Sequence, residues 1–150
     1  MSLAEMNMTS IKDICPDWHE WPARWMGRPK DETYGQGILD AIRPFVEKMI
    51  AEKANAKTIR MHLDNLWLLG GEIIRDVSSN GDYGIPPIKK LEAAVDSEGG
   101  PMCRHLDTEK EQESFDATCR MLNGFLGKRR QGTANKEVHR LPHPRRVRKR

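Results

Sequence analysis

The sequence predicts an all-α protein built as a compact bundle of four or five helices. Apolar residues recur at spacings of three and four along the middle of the chain, and no segment shows the alternation typical of a strand. Leu, Ile, Val and Phe are concentrated between residues 38 and 127, at 23 positions against six in the rest of the chain. This division predicts an irregular N-terminal arm at 1–37, a helical domain at 38–127 and a disordered tail at 128–150.

The first predicted helix of the domain begins at Ile38. Its apolar stripe continues through Ile42, Phe45 and Met49, with spacings of four, three and four. Pro44 interrupts this stripe, and a proline inside a helix removes one backbone donor and crowds the preceding turn. We therefore expect a kink or a division of the helix at Pro44.

The second predicted helix has the clearest periodicity in the chain. Asn55 is a favourable N-cap residue for it. Gly70 and Gly71 lie inside the helix, where each glycine costs about 1 kcal/mol relative to alanine. The close approach of a neighbouring helix backbone would explain them, and a break in the helix is the alternative. The stripe consists of Ile59, Leu63, Leu66, Gly70, Ile73 and Val77.

Two further helices complete the predicted domain. A turn-rich loop at 80–87 precedes a short helix, and a second connection at 97–106 contains two glycines and a proline. Residues 108–111 have the form of a capping box that opens the last helix. The inward residues are Ile88, Leu91 and Val95 in the short helix, and Phe115, Cys119, Leu122 and Leu126 in the last helix.

Three tryptophans mark the N-terminal arm. Trp18, Trp21 and Trp25 recur at spacings of three and four, which would place them on one face of a short helix. Such a face could pack on the core as a flap. Interleaved with arginines, it could instead stack on the bases of a single strand, or form a patch that binds a protein.

The net charge of +3 hides a strong asymmetry along the chain. Residues 128–150 hold ten Lys or Arg and one acid, whereas the rest of the chain holds 15 basic and 21 acidic residues. Clustered cations gain affinity for a polyanion through counterion release, which favours nucleic acid as the partner. The alternatives are an acidic protein or the protein's own body, and a membrane surface. The tail cations singled out for DNA are Lys128, Arg129, Arg130, Arg145, Arg146, Arg148, Lys149 and Arg150.

The remaining sequence features argue against catalysis and cofactors. Three cysteines without an apolar leader indicate free thiols in a reducing compartment, so we expect a cytoplasmic protein. The sequence contains no run of about 18 apolar residues, so we expect no transmembrane helix. The chain has no phosphate-binding glycine loop, and its His and Cys residues do not follow a metal-ligand pattern. We therefore expect no enzyme, no metal and no cofactor.

The second predicted helix carries a resemblance to a known family. The run from Asn55 to Leu66, with a polar cap followed by Lys-Thr-Ile-Arg, is similar to the second helix of the core-binding, SAM-like domain of tyrosine recombinases and phage integrases. The order and size of the helices within 38–127 match as well. The longer run 65–76 resembles that of small bacterial proteins, often from mobile-element neighbourhoods.

The resemblance implies a helical domain that contacts duplex DNA through phosphates. The positions carried over are Lys57, Thr58 and Arg60, at a helix start whose free N–H groups and positive dipole end suit an anion. His62 could join them, although an ordinary exposed histidine is also consistent with its position. The catalytic half of a recombinase is missing, because no tyrosine follows the His-x-x-Arg string at 143–146.

Two functional hypotheses follow. The first is a non-catalytic DNA-binding accessory protein of mobile-element type, which contacts phosphates through the start of the second helix and the basic tail. The second is an interaction or regulatory module whose acidic body and tryptophan arm bind a partner protein.

Overall fold

The computed structural model describes residues 10–52, 54–103 and 105–131. These residues form a compact all-α bundle, which confirms the predicted fold class, and their single β feature is an isolated bridge between Asp96 and Gly99. None of the described helices has the length and the apolar character needed to cross a bilayer. The helices are α1 (Ile11–Ile14), α2 (Trp21–Trp25), α3 (Pro29–Ala51), α4 (Ala56–Asn80), α5 (Pro87–Ala94) and α6 (Glu109–Gln131), and a short 3-10 helix (Trp18–Glu20) lies between α1 and α2.

Helix α3 begins earlier than expected and is not divided. Pro29 occupies its first turn, where the missing N–H has no partner to lose. Asp31 caps this end by accepting hydrogen bonds from the backbone N–H groups of Gly27 and Arg28, both at 2.9 Å. The expected division at Pro44 is wrong, since the helix runs unbroken to Ala51. The residue one turn earlier, Asp40, is exposed, so water can satisfy the carbonyl that Pro44 leaves without a donor.

Helix α4 is continuous through both of its glycines. The expected N-cap at Asn55 is confirmed, and Gly81 ends the helix in the left-handed conformation with φ of 72°. The neighbour that requires Gly70 is a side chain, not a helix backbone as expected. A Cβ added to Gly70 would lie 2.2 Å from Cζ2 of Trp25, so only glycine leaves room for the indole ring.

The N-terminal residues from 10 onward form part of the bundle, which corrects the prediction of an irregular arm at 1–37. Trp18 and Trp21 are 4% and 2% exposed, and their ring centroids are 4.7 Å apart. The indole N–H of Trp25 donates to the carbonyl of Trp67 at 3.0 Å. Packing on the core is thus the correct interpretation of the three tryptophans. The prediction failed because large aromatics at helical spacing can complete a core without a high density of aliphatic residues.

The last helix extends past the predicted domain boundary at residue 127. Helix α6 ends at Gln131, so residues 128–131 are helical and not part of a disordered tail. Residues 1–9 and 132–150 lie outside the described residues. The core between the helices contains apolar side chains from every helix, and its largest fully buried members are Phe115, Ile38, Leu39, Ile42, Ile59, Leu63, Leu66, Leu69, Leu91, Leu122, Leu126 and Val46.

Candidate nucleic-acid interface

The start of α4 carries the three positions that the sequence singled out for phosphate contact. Lys57, Thr58 and Arg60 are all exposed. Lys57 and Arg60 lie three residues apart, which places them on neighbouring positions of one helix face. Among the described residues, neither cation forms an ion pair with a carboxylate. Their charges therefore remain available to an external anion.

The backbone donors at this helix start are less available than predicted. The side-chain Oδ1 of Asn55 accepts hydrogen bonds from the N–H groups of Lys57 at 2.8 Å and Thr58 at 3.3 Å. A good N-cap satisfies the same orphan donors that a phosphate would need. The expectation that free N–H groups at this helix start suit an anion is therefore wrong for these two residues, and what remains for a phosphate is their side chains.

Arg60 has a structural contact that sequence reasoning did not find. Its guanidinium donates a hydrogen bond to the carbonyl of Ile14, at the end of α1. The guanidinium has further donors in its planar fork, so this contact fixes the side chain without using all of its donors. The signal was missed because the contact joins α4 to a segment that was predicted to be irregular.

Helix α6 packs antiparallel to α4. Successive hydrogen bonds run forward along α4 and backward along α6, from His62 with Thr118 to Asn65 with Ser114. Measured from this contact, α6 continues for about 20 Å to Gln131, whereas α4 reaches back only about 9 Å to Ala56. The end of α6 and the start of α4 therefore lie at the same end of the bundle.

His62 is part of the contact between the two helices. Its Nδ1 lies 2.7 Å from the hydroxyl of Thr118, which also accepts a hydrogen bond from the amide of Asn65 at 2.9 Å. Burial lowers the pKa of His62 below its ordinary value, because the charged imidazolium is poorly solvated there. The expectation of an exposed histidine, or of one that joins a phosphate contact, is wrong. Its position three residues after Ile59, on the apolar stripe, was the signal for burial.

The basic residues of the predicted tail lie almost wholly outside the described structure. Arg145, Arg146, Arg148, Lys149 and Arg150 are beyond residue 131. The backbone of Lys128, Arg129 and Arg130 belongs to the last turns of α6. The chain thus enters its basic segment from the end of the bundle that carries Lys57 and Arg60.

The cysteines are buried in the described residues. Burial and a hydrogen bond to Asp17 raise the pKa of Cys15 to about 12, so its thiol is protonated at neutral pH. Burial also raises the pKa of Cys103. In the part of the chain that the structure describes, no three His, Cys, Asp or Glu side chains are grouped so that they could hold a metal ion.

The fold defines a class of protein only broadly: an all-α helical bundle. Comparison of the chain with family models, with curated proteins and with solved structures finds no match. The resemblance to recombinase core-binding domains therefore stays a prediction from short runs of sequence.

Proposed function

We propose that the protein binds duplex DNA without catalysis, through phosphate contacts at the end of the bundle where α4 begins and α6 ends, which we call the cationic end. The observation that carries this proposal is the antiparallel packing of α4 and α6. It brings Lys57, Thr58 and Arg60 to the same end as the start of the basic segment 128–150. A single duplex can then contact the start of α4 and the basic segment at the same time.

The charge distribution along α6 supports DNA contact at the same end of the bundle. Four acids lie between Glu109 and Asp116, in the first two turns, whereas the last turns contain three consecutive cations at 128–130. The body of the protein is net acidic, so a polyanion approaching from other directions meets like charge. Binding would therefore be restricted to this end. The resemblance to recombinase domains is the ground for placing such a protein among accessory proteins of mobile elements.

The partner-protein hypothesis lost its principal support in the structure. An exposed patch formed by Trp18, Trp21 or Trp25 would have favoured it. Trp18 and Trp21 are instead buried, and Trp25 is packed on α4. The acidic body remains compatible with that hypothesis but does not favour it.

The test is a titration of a fluorescein-labelled duplex with the full chain at several salt concentrations. We expect the logarithm of the binding constant to fall steeply with the logarithm of salt, by about 0.9 for each phosphate neutralised. Truncation after Gln131 removes seven cations and should reduce that slope by up to about 6. No retention of DNA by the full chain at about 50 mM salt would overturn the proposal.

Charge reversals separate the helix contribution from that of the tail. Lys57→Glu in the truncated chain should weaken the remaining DNA binding and lower its salt slope by about 1, since one phosphate contact is lost, and the added negative charge should weaken binding further. Lys110→Glu is the matched control, because this exposed lysine lies in the first turn of α6, away from the cationic end. Equal effects of the two reversals would contradict a contact at the start of α4.

A further inference from the structure

A cleft of about 360 Å³ lies along the C-terminal half of α4. Helix α2 and the segment before α6 border it, and its volume is at the lower end of the range for small-molecule sites. The residues that matter for its chemistry are Trp25, Trp67, Gly71, Glu72, Arg75 and His105.

The two adjacent glycines of α4 shape this cleft. Gly70 admits the ring of Trp25, and the hydrogen bond from that indole to the carbonyl of Trp67 fixes its orientation. Gly71 is open, since a Cβ there would meet Trp25 only at an ordinary contact of 3.5 Å. Trp67 is 37% exposed. The cleft thus offers two indole surfaces, one of them held rigidly.

One oxygen of the Glu72 carboxylate has no hydrogen-bond donor among the described residues. Its Oε2 is shielded from solvent and accepts no hydrogen bond from the described residues. The same carboxylate accepts a hydrogen bond from the thiol of Cys103, which leaves Oε2 as its oxygen without a donor. A shielded carboxylate oxygen without a donor is unfavourable, and rotation of the side chain toward the cleft would bring it to an incoming donor.

The other charged groups of the cleft are already engaged or solvated. Arg24 forms an ion pair with Glu20 at 2.7 Å. Asp31 accepts hydrogen bonds from the hydroxyl of Tyr83 and from two backbone N–H groups, so it adds negative charge but needs no donor. Arg75 is exposed to water, which screens its charge. Glu72 is therefore the acceptor that a ligand would satisfy.

We propose that this cleft binds a small primary amine with a flat apolar body. The ammonium would donate to Glu72, and the flat body would lie against Trp25 and Trp67. A charge-assisted hydrogen bond is the strongest partner for a lone carboxylate oxygen in an apolar site, and indole faces attract cations as well as apolar rings. The site is independent of the proposed DNA contact, because Glu72 lies about 21 Å along α4 from Thr58.

The experiment compares three ligands of similar shape and different charge, with the full chain. They are 2-phenylethylamine, 2-phenylethanol and 3-phenylpropanoate, and the readout is the saturable change of tryptophan emission. We expect the amine to bind at least about tenfold more tightly than the alcohol, and the carboxylate to bind most weakly. Equal binding of amine and alcohol, or tighter binding of the carboxylate, overturns the proposal, as does no saturable change at about 1 mM amine.

Three variants locate the effect. Glu72→Gln should remove the preference for amine over alcohol, whereas the control Glu47→Gln, at an exposed position of α3, should leave it intact. Gly71→Leu should fill the cleft and abolish binding of both ligands without touching the carboxylate. Thermal unfolding verifies that each variant is folded. A folded Glu72→Gln variant that keeps the amine preference, or a folded Gly71→Leu variant that still binds, contradicts the site.

Discussion

The two halves of helix α4 are held in the bundle by different kinds of contact. The N-terminal half is attached to α6 by buried hydrogen bonds from His62 and Asn65. The C-terminal half is attached to α2 by the ring of Trp25, which packs on Gly70. Near its end it is attached to α5 by the buried Lys90, which pairs with Asp76 at 2.5 Å. Hydrogen bonds fix the register of two helices, whereas ring packing depends on space. The two halves should therefore respond to different substitutions.

The largest effect should come from adding one methyl group to the C-terminal half. Gly70→Ala places a Cβ inside the ring of Trp25, so the ring must move and its hydrogen bond to Trp67 is lost. Overpacking of this kind outweighs the helix-propensity gain of about 1 kcal/mol, and we expect a net loss of about 2 kcal/mol in the free energy of unfolding. Urea denaturation measures it.

The neighbouring glycine provides the control for that experiment. Gly71→Ala meets Trp25 only at ordinary contact distance, so it should be neutral or stabilise the protein by up to about 1 kcal/mol. If both substitutions stabilise the protein equally, the ring does not lie on Gly70 in solution.

The N-terminal half should respond most to the loss of a hydroxyl. Thr118→Val keeps the shape of the side chain but removes the group that meets Nδ1 of His62 and the amide of Asn65. Asn65 retains its hydrogen bond to the carbonyl of Ser114, so the main loss is the partner of one buried imidazole nitrogen. We expect the free energy of unfolding to fall by about 1–2 kcal/mol. The control is the same change at an exposed position of α3, Thr33→Val, which should change the free energy of unfolding by less than about 0.5 kcal/mol.

A smaller effect is expected at the helix start. Asn55→Ala removes the acceptor for two backbone N–H groups and should destabilise the protein by about 1 kcal/mol. Asn55→Asp keeps an acceptor at this position and should be close to neutral in stability. Its added negative charge should weaken DNA binding, which separates the capping role from the charge of this end. A stable Asn55→Ala variant would mean that the cap is not formed.

The smallest effect should be the response to pH. Burial lowers the pKa of His62 in the folded state below its ordinary value of 6.5. At a pH between the lowered pKa and 6.5, the unfolded chain therefore binds more protons than the folded chain. Stability is therefore complete above this window and falls as pH decreases through it. The loss is reduced because the Thr118 hydroxyl can turn to accept a hydrogen bond from the protonated ring. Urea denaturation of the wild type and of His62→Gln at about pH 7 and about pH 5 measures it, and an identical pH response of the two would exclude His62 as the source.

The sequence predicted those parts of the fold that depend on local periodicity. The stripe from Ile59 to Val77 defines α4, and the N-cap at Asn55 marks its start. The contact of Trp25 with Gly70 could not be predicted, because nothing local indicates which distant side chain fills the space above a glycine. The same holds for Arg60 with the Ile14 carbonyl, and for Glu72, whose missing donor is visible only when the surrounding side chains are placed.

The position of Trp25 also has a consequence for synthesis on the ribosome. The indole leaves the tunnel before its acceptor at Trp67, which follows 42 residues later. At about 5–20 residues per second, this separation is a delay of about 2 to 8 seconds. During this time the ring of Trp25 lacks the surface around Gly70 on which it packs. Trp25 is therefore made well before the helix on which it packs, and a chaperone that holds exposed aromatics would have its best opportunity in that interval.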